Sequence, residues 1–282
     1  MDRARARPGG RERRPEGRLF CIRRIWLARA TLVLGLALAP PLAAVAAAGE
    51  ACPADRIDAW AEVRSVLDGD TLVLKDGRKV RMLGINSPEI RYDQRPTEPF
   101  ATVARSALEE LTGAGQRVGL RFDVERQDTY GRTLAHVFLP DGTNVQREML
   151  ARGLAASIVV PPNAWGWECY RDAEREVREA GRGMWSDERF RPTPPAQLPT
   201  NADGFWFVTG RVQRVGEGRN AWWLNLGGGL SVRIDKRDME YFPGLRPRSL
   251  AGQRIESRGW LNSSPRDRWV NARHPAALRV LD

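Results

Sequence analysis

Two rhythms of apolar and polar positions divide the chain. From Trp60 to Phe190, short β-like runs are interleaved with segments of helical period. From Phe205 onward every run is β-like. In the first part, Trp60–Val66 alternates and Thr71–Leu74 is β-branched and apolar. Asp76-Gly77 signals a hairpin, and Lys79–Ile85 returns as a strand. Val103, Ala104, Ala107, Leu108 and Leu111 repeat at helical spacing over Phe100–Leu111, and Gly113 closes that helix. Strands over Arg117–Val124 and Thr133–Leu139 follow, then a short helix from Asn144 to Arg152. A charged helix over Tyr170–Ala180 comes last, with Ala173, Val177 and Ala180 inward. Five strands with helices inserted between and after them predict an α+β fold, a small barrel with helices.

A break follows. Pro192, Pro194, Pro195 and Pro199 fall within eight residues, which favours an extended spacer over helix or inner strand. The reading is a first domain over 55–190, a linker over 191–203 and a second domain over 204–282. In the second, strands are expected over Phe205–Val215, Ala221–Leu226, Leu230–Ile234, Gln253–Leu261 and Trp269–Ala272, a rhythm that suits a second small barrel.

The first 48 residues fit neither domain. Ten arginines against three acidic residues are followed by an apolar run, Ala30–Ala39, and an alanine-rich stretch ending at Ala48. That order reads as a secretory signal peptide over 1–48, of the Sec type or, from Arg23-Arg24, of the twin-arginine type. Pro40 and Pro41 cut the apolar run short of the ~20 residues a membrane span needs. The expectation is an exported periplasmic or secreted monomer, not held in the membrane once the leader is removed.

Charge changes the picture once the leader is set aside. The whole chain is +10, and its leader holds +7. Residues 49–190 carry 20 basic and 24 acidic residues, whereas 191–282 carry 15 and 8. The basic excess expected of a nucleic-acid binder therefore lies in the C-terminal part alone. Cys21 falls in the leader. Cys52 and Cys169 remain, and an even pair in an exported chain reads as a disulfide, with two separate buried thiols as the alternative.

Candidate chemistry gathers in three blocks: Val66-Leu67-Asp68-Gly69-Asp70-Thr71, Arg81-Met82-Leu83-Gly84-Ile85-Asn86-Ser87-Pro88-Glu89, and Asp128-Thr129-Tyr130-Gly131-Arg132. Carboxylates attract a hard divalent cation. Guanidinium groups grip phosphate in a bidentate fashion. A carboxylate fixed by a proline turn can draw a proton from water. Each block alone has a plainer reading: Asp-Gly as a β-turn, Arg81 and Glu89 as solvated surface, Tyr130 as packing.

Together, in order and spacing, the blocks resemble the thermonuclease (staphylococcal nuclease-like) family over roughly Trp60 to Phe190. The resemblance implies an OB-type five-stranded barrel with three helices. It also implies a calcium-dependent phosphodiesterase acting on DNA or RNA with little sequence preference and leaving 3′-phosphate ends. Asp70, Asn86 and the Ser87 carbonyl would hold Ca²⁺, with Asp68 behind them. Arg81, Glu89 and Arg132 would be catalytic, and Tyr130 would bind substrate. Asn86 departs from the family's aspartate, and Ala156–Val160 stands where the family often carries two tyrosines. The C-terminal part resembles the OB-like module of some exported homologues.

The only histidines, His136 and His274, are too far apart in sequence for a histidine-metal nuclease, and no glycine-rich phosphate loop precedes a helix. Trp206, Trp222, Trp223, Trp260 and Trp269 are interleaved with arginines, including Arg266. That mixture suits single-stranded nucleic acid as a partner of the C-terminal part, while core packing is the expected role of most of these tryptophans. The rival to an enzyme is a non-catalytic nucleic-acid-binding or cell-envelope interaction module whose metal site is weakened by Asn86.

Overall fold

The chain runs β1 (Ala59–Asp68), β2 (Thr71–Leu74), β3 (Lys79–Met82), β4 (Ile85–Asn86), α1 (Ala101–Thr112), β5 (Arg117–Arg121), β6 (Thr133–Phe138), α2 (Val145–Ala151), β7 (Ala156–Ser157) and α3 (Trp167–Glu179). This computed structural model describes residues 52–281 apart from Asp93 and Arg266. The expected leader, with Arg23 and Arg24, and Cys21 lie outside the described residues.

Five strands close a barrel in the order β1-β2-β3-β6-β5. Tight acidic turns make β1–β2–β3 an antiparallel meander. The excursion through α1 lets β6 lie parallel to β3, and β5 closes on β1 at Ala59–Leu120. All of β2 and β6 is buried. Leu72, Leu74, Val80, Val118, Leu120 and Val137 fill the core, and helix residues Leu108, Met149 and Tyr170 pack against them. Asn144 caps α2 by accepting the Arg147 N–H, and its Nδ2 donates to the Cys52 carbonyl.

On α3 the buried face is Tyr170, Glu174 and Val177. Ala180, expected to point inward, is exposed because the helix ends there. Cys52 and Cys169 form a disulfide across 117 residues, with Cα atoms 5.8 Å apart. Closing so long a loop is worth about 4–5 kcal/mol in the chain-entropy view. Cys52 is a buried member of the barrel core, although its neighbours in sequence are polar.

The second, mainly-β unit holds β8 (Phe205–Arg211), β9 (Arg214–Glu217), β10 (Ala221–Gly227), β11 (Leu230–Asp235), β12 (Arg254–Ser263), β13 (Arg268–Asn271) and β14 (Leu278–Leu281). They form one sheet, β14-β12-β13-β11-β10-β9, with β8 also on β12. The single strand expected over Phe205–Val215 is two, because β8 pairs with β12 and β9 with β10. Trp206 and Trp222 pack on this unit's core, while Trp223 and Trp269 meet edge to face 5.7 Å apart.

The proline-rich segment is a docked strap. Thr193 donates to the Phe207 carbonyl (2.9 Å) and accepts from Thr209 (3.1 Å), so it adds beside β8. A buried seam then joins the two β units. Arg258 donates to Glu174 (2.7 Å) and to the Ser157 carbonyl (3.1 Å), and Arg178 donates to Glu256 (2.5 Å). No helix among the described residues is long and apolar enough to cross a membrane.

Candidate active site

The acidic turn between β1 and β2 faces the turn after β4. Asp70 is buried, and its Oδ2 accepts the Ser87 N–H at 2.9 Å. Its own N–H donates to Asp68 Oδ1 at 3.1 Å. Gly69 is required between them. A Cβ there would lie 2.7 Å from the Cβ atoms of both Ala104 and Ser87, so any side chain would push α1 and the Ser87 turn away.

Arg81, on β3, points into the same place. Its Nη2 lies 3.0 Å from Asp70 Oδ2 and 3.1 Å from Asn86 Oδ1. Its Nη1 donates to the carbonyls of Met82 (2.6 Å) and Ile85 (2.9 Å). Two buried oxygens thus converge on one cationic nitrogen. That pair and the Ser87 carbonyl next to the Asn86 amide are oxygens of the kind a hard cation takes. Among the described residues no three Asp, Glu, His or Cys side chains group for a metal, and Asn86 supplies an amide oxygen here.

The carboxylates here outnumber their cations. Burial, then the charge of Asp70, pushes Asp68 up to about 7. Burial and Asp70 also raise Glu89, against the pull of Arg81. Glu89 is fixed by a residue that carried no sequence signal: Glu98 Oε2 accepts its N–H at 3.0 Å, while Glu98 Oε1 accepts Arg189 Nη2 at 2.6 Å.

The third block is a side-chain-capped turn. Asp128 Oδ1 accepts the N–H groups of both Tyr130 and Arg132, each at 2.9 Å. Gly131 takes the positive φ of 76° that the turn needs. Asp128 Oδ2 accepts Arg132 Nε at 2.7 Å. Burial works against the Asp128 charge, yet these donors hold its carboxyl below the usual range. Tyr130 is 84 % exposed, so packing is not its role, and the Arg132 guanidinium lies 5.7 Å from its ring centre.

Arg81 and Arg132 line one cleft of about 600 Å³ with Met82, Gly84, Leu134, Ile158 and Val160. Trp260 and Arg273 of the second β unit line it too. Neither carries a local sequence signal of the site, since nothing near them in the chain shows that β12 or the segment after β13 reaches the first barrel. His136 plays no part: it is buried in β6 with Nδ1 2.8 Å from the Tyr170 hydroxyl, and burial lowers its pKa.

Comparison with known proteins bears on this geometry. The family model described as staphylococcal nuclease homologue matches residues 79–187. A thermonuclease of Staphylococcus intermedius is 36 % identical over 128 residues, 44 % of this chain and 74 % of that protein. The thermonuclease of Staphylococcus hyicus is 34 % identical over 45 % of this chain and 75 % of its own length. An uncharacterized endonuclease of Escherichia coli O157:H7 is 32 % identical over 49 % and 83 %.

Proposed function

The chain belongs to the staphylococcal nuclease homologues and is a nucleic-acid-hydrolysing endonuclease, and we propose that it is a calcium-dependent one, cleaving DNA or RNA with little sequence preference to leave 3′-phosphate ends. The observation that carries this reading is the convergence of Asp70 Oδ2 and Asn86 Oδ1 on one cationic point beside carboxylates held above their usual range. Unpaired buried negative charge is costly unless a cation meets it.

Asp70, Asn86 and the Ser87 carbonyl would hold the ion, which when bound neutralises phosphate charge. Asp68 fixes the turn through the Asp70 N–H. Glu89 takes a proton from the attacking water, and its raised pKa makes it a better base than an ordinary surface carboxylate. Arg81 and Arg132 stabilise the charge that builds on the phosphoryl oxygens as the new P–O bond forms. The P–O5′ bond breaks, leaving a 3′-phosphate and a 5′-hydroxyl. Tyr130, exposed beside Arg132, offers a ring to the nucleotide.

The division at 55–190, 191–203 and 204–282 is proposed as the domain organisation. Export through the leader over 1–48 fits the Cys52–Cys169 disulfide, which an oxidising compartment maintains. The test is cleavage of labelled DNA and RNA oligonucleotides in calcium and in EDTA, with product ends read by mass spectrometry. Calcium-dependent cleavage to 3′-phosphates is expected. Equal cleavage in EDTA, or 5′-phosphate ends, would overturn the reading.

A further inference from the structure

We infer that the second β unit completes the substrate site: Trp260 is a stacking platform for a nucleobase of a single-stranded substrate. The inference rests on the hydrolytic reading above for the identity of the substrate.

The cleft beside Arg81 and Arg132 has an apolar wall of Leu134, Ile158 and Val160. Among the described residues lining it, Trp260 is the only aromatic one. Its 44 % exposure is large for a side chain of this size on a central strand, since β12 pairs with β8, β13 and β14. Phe205 meets the Trp260 ring edge to face at 5.2 Å, which supports one side of it and sets its plane. A base has a π-face whatever its identity, so a platform of this kind tolerates any sequence.

The placement is built, not incidental. Side chains two apart on a strand share a face, so Arg258 and Trp260 leave β12 on the same side. Arg258 is clamped on the first barrel by Glu174 and by the Ser157 carbonyl, one residue before Ile158 of the cleft wall. Arg273 ties the same wall from another strand end, donating to the Pro161 carbonyl at 3.1 Å and to Asp238 at 3.2 Å. The seam therefore holds Trp260 over a cleft that Arg81 and Arg132 open onto. A phosphate at the arginines would leave its base to lie on the apolar wall against Trp260. The segment 156–160 offers no aromatic ring of its own.

The test measures binding and cleavage separately. A short fluorescein-labelled oligothymidylate is titrated by anisotropy against the full chain carrying Glu89→Gln, with and without Trp260→Leu or Trp260→Phe. Stacking of about 1–3 kcal/mol per base corresponds to roughly 5- to 150-fold in Kd. Trp260→Leu should weaken binding by that factor, Trp260→Phe should recover most of it, and an abasic oligonucleotide should lose the difference between the variants. On the chain with no Trp260 change, photocrosslinking of a 5-iodouracil oligonucleotide should label Trp260, and this readout stands even if Trp260→Leu misfolds. Unchanged Kd in a folded Trp260→Leu chain, or crosslinks confined to Tyr130 and Tyr92, would overturn the platform. Absence of cleavage by the unaltered chain would instead contradict the hydrolytic reading, with the binding result still deciding the platform.

Discussion

Two of the places where this molecule buries arginines against carboxylates come out oppositely. In the seam, Glu174 is fully enclosed, yet Arg258, the Ser157 N–H and Arg178 hold its pKa below the ordinary glutamate value. In the acidic turn, Asp68 and Glu89 are held above theirs, although Arg81 lies among them. The residue types are the same, but the count differs. The seam balances two glutamates with Arg258, Arg178 and Arg279. The turn sets Arg81, with a weaker pull from Arg91 on Glu89, against Asp68, Asp70 and Glu89. A balanced cluster is structural, whereas a surplus of one sign, here beside the Arg81 that lines the cleft, is a pointer to a functional site.

The largest effects should fall where the surplus lies. Glu89→Gln removes the base while keeping shape, and should lower kcat by ~10²–10⁴-fold with little change in melting temperature. Arg132→Ala should cost about 10²–10³-fold in kcat, the scale of losing one stabiliser of developing charge. Full kcat in Glu89→Gln would remove the acidic turn's claim to chemistry, and full kcat in Arg132→Ala would remove the transition-state role of the Asp128-capped turn.

The seam should answer in stability instead. Glu174→Gln leaves Arg258 buried without its counter-charge and should destabilise the fold by about 3–5 kcal/mol in denaturant melts. A chain that melted as before would show that solvent reaches the seam. Smaller in effect, Asn86→Asp should lower the calcium concentration giving half-maximal rate severalfold, since ligand charge sets affinity. An unchanged midpoint would show that Asn86 is not a ligand.

pH should separate the two clusters most finely, with opposite signs. Asp68 has a folded pKa above its unfolded one, so its ionisation costs stability, and that cost is relieved as pH falls below about 7. Glu174 has a folded pKa below its unfolded value, so its stabilisation is complete above the ordinary glutamate range near ~4.3 and is lost in stronger acid. Asp68→Asn, which keeps the oxygen that accepts the Asp70 N–H, should therefore raise the calcium-free melting temperature clearly more at pH 8 than at pH 5. The same change at both pH values would contradict the surplus.

Much of the first barrel was legible because its signals are local. Asp76-Gly77, the helical period ending at Gly113 and the Asn144 cap each act within a few residues. The acidic turn, Arg81 and the Asn86–Glu89 turn could be placed together because a family pattern supplied the long-range pairing. What escaped was non-local. Nothing around Glu98 announces that it holds the Glu89 N–H, and nothing around Arg258 announces a partner 84 residues earlier in the chain. The half-exposed residues of β14 gave no alternation to read. Thr193 looked like spacer because the prolines around it lack N–H groups, while its own N–H pairs with Phe207.

The proposal at the centre of this account is that Asp70, Asn86 and the Ser87 carbonyl hold a cation beside the surplus charge of Asp68 and Glu89. Its most direct test is calorimetric titration of calcium into the EDTA-treated chain, into Asp70→Asn and into Glu174→Gln at a temperature where each is folded. Saturable binding near one ion per chain is predicted for the unaltered protein and for Glu174→Gln, and none for Asp70→Asn. Binding that survives Asp70→Asn, or no saturable binding by the unaltered chain, would contradict the account.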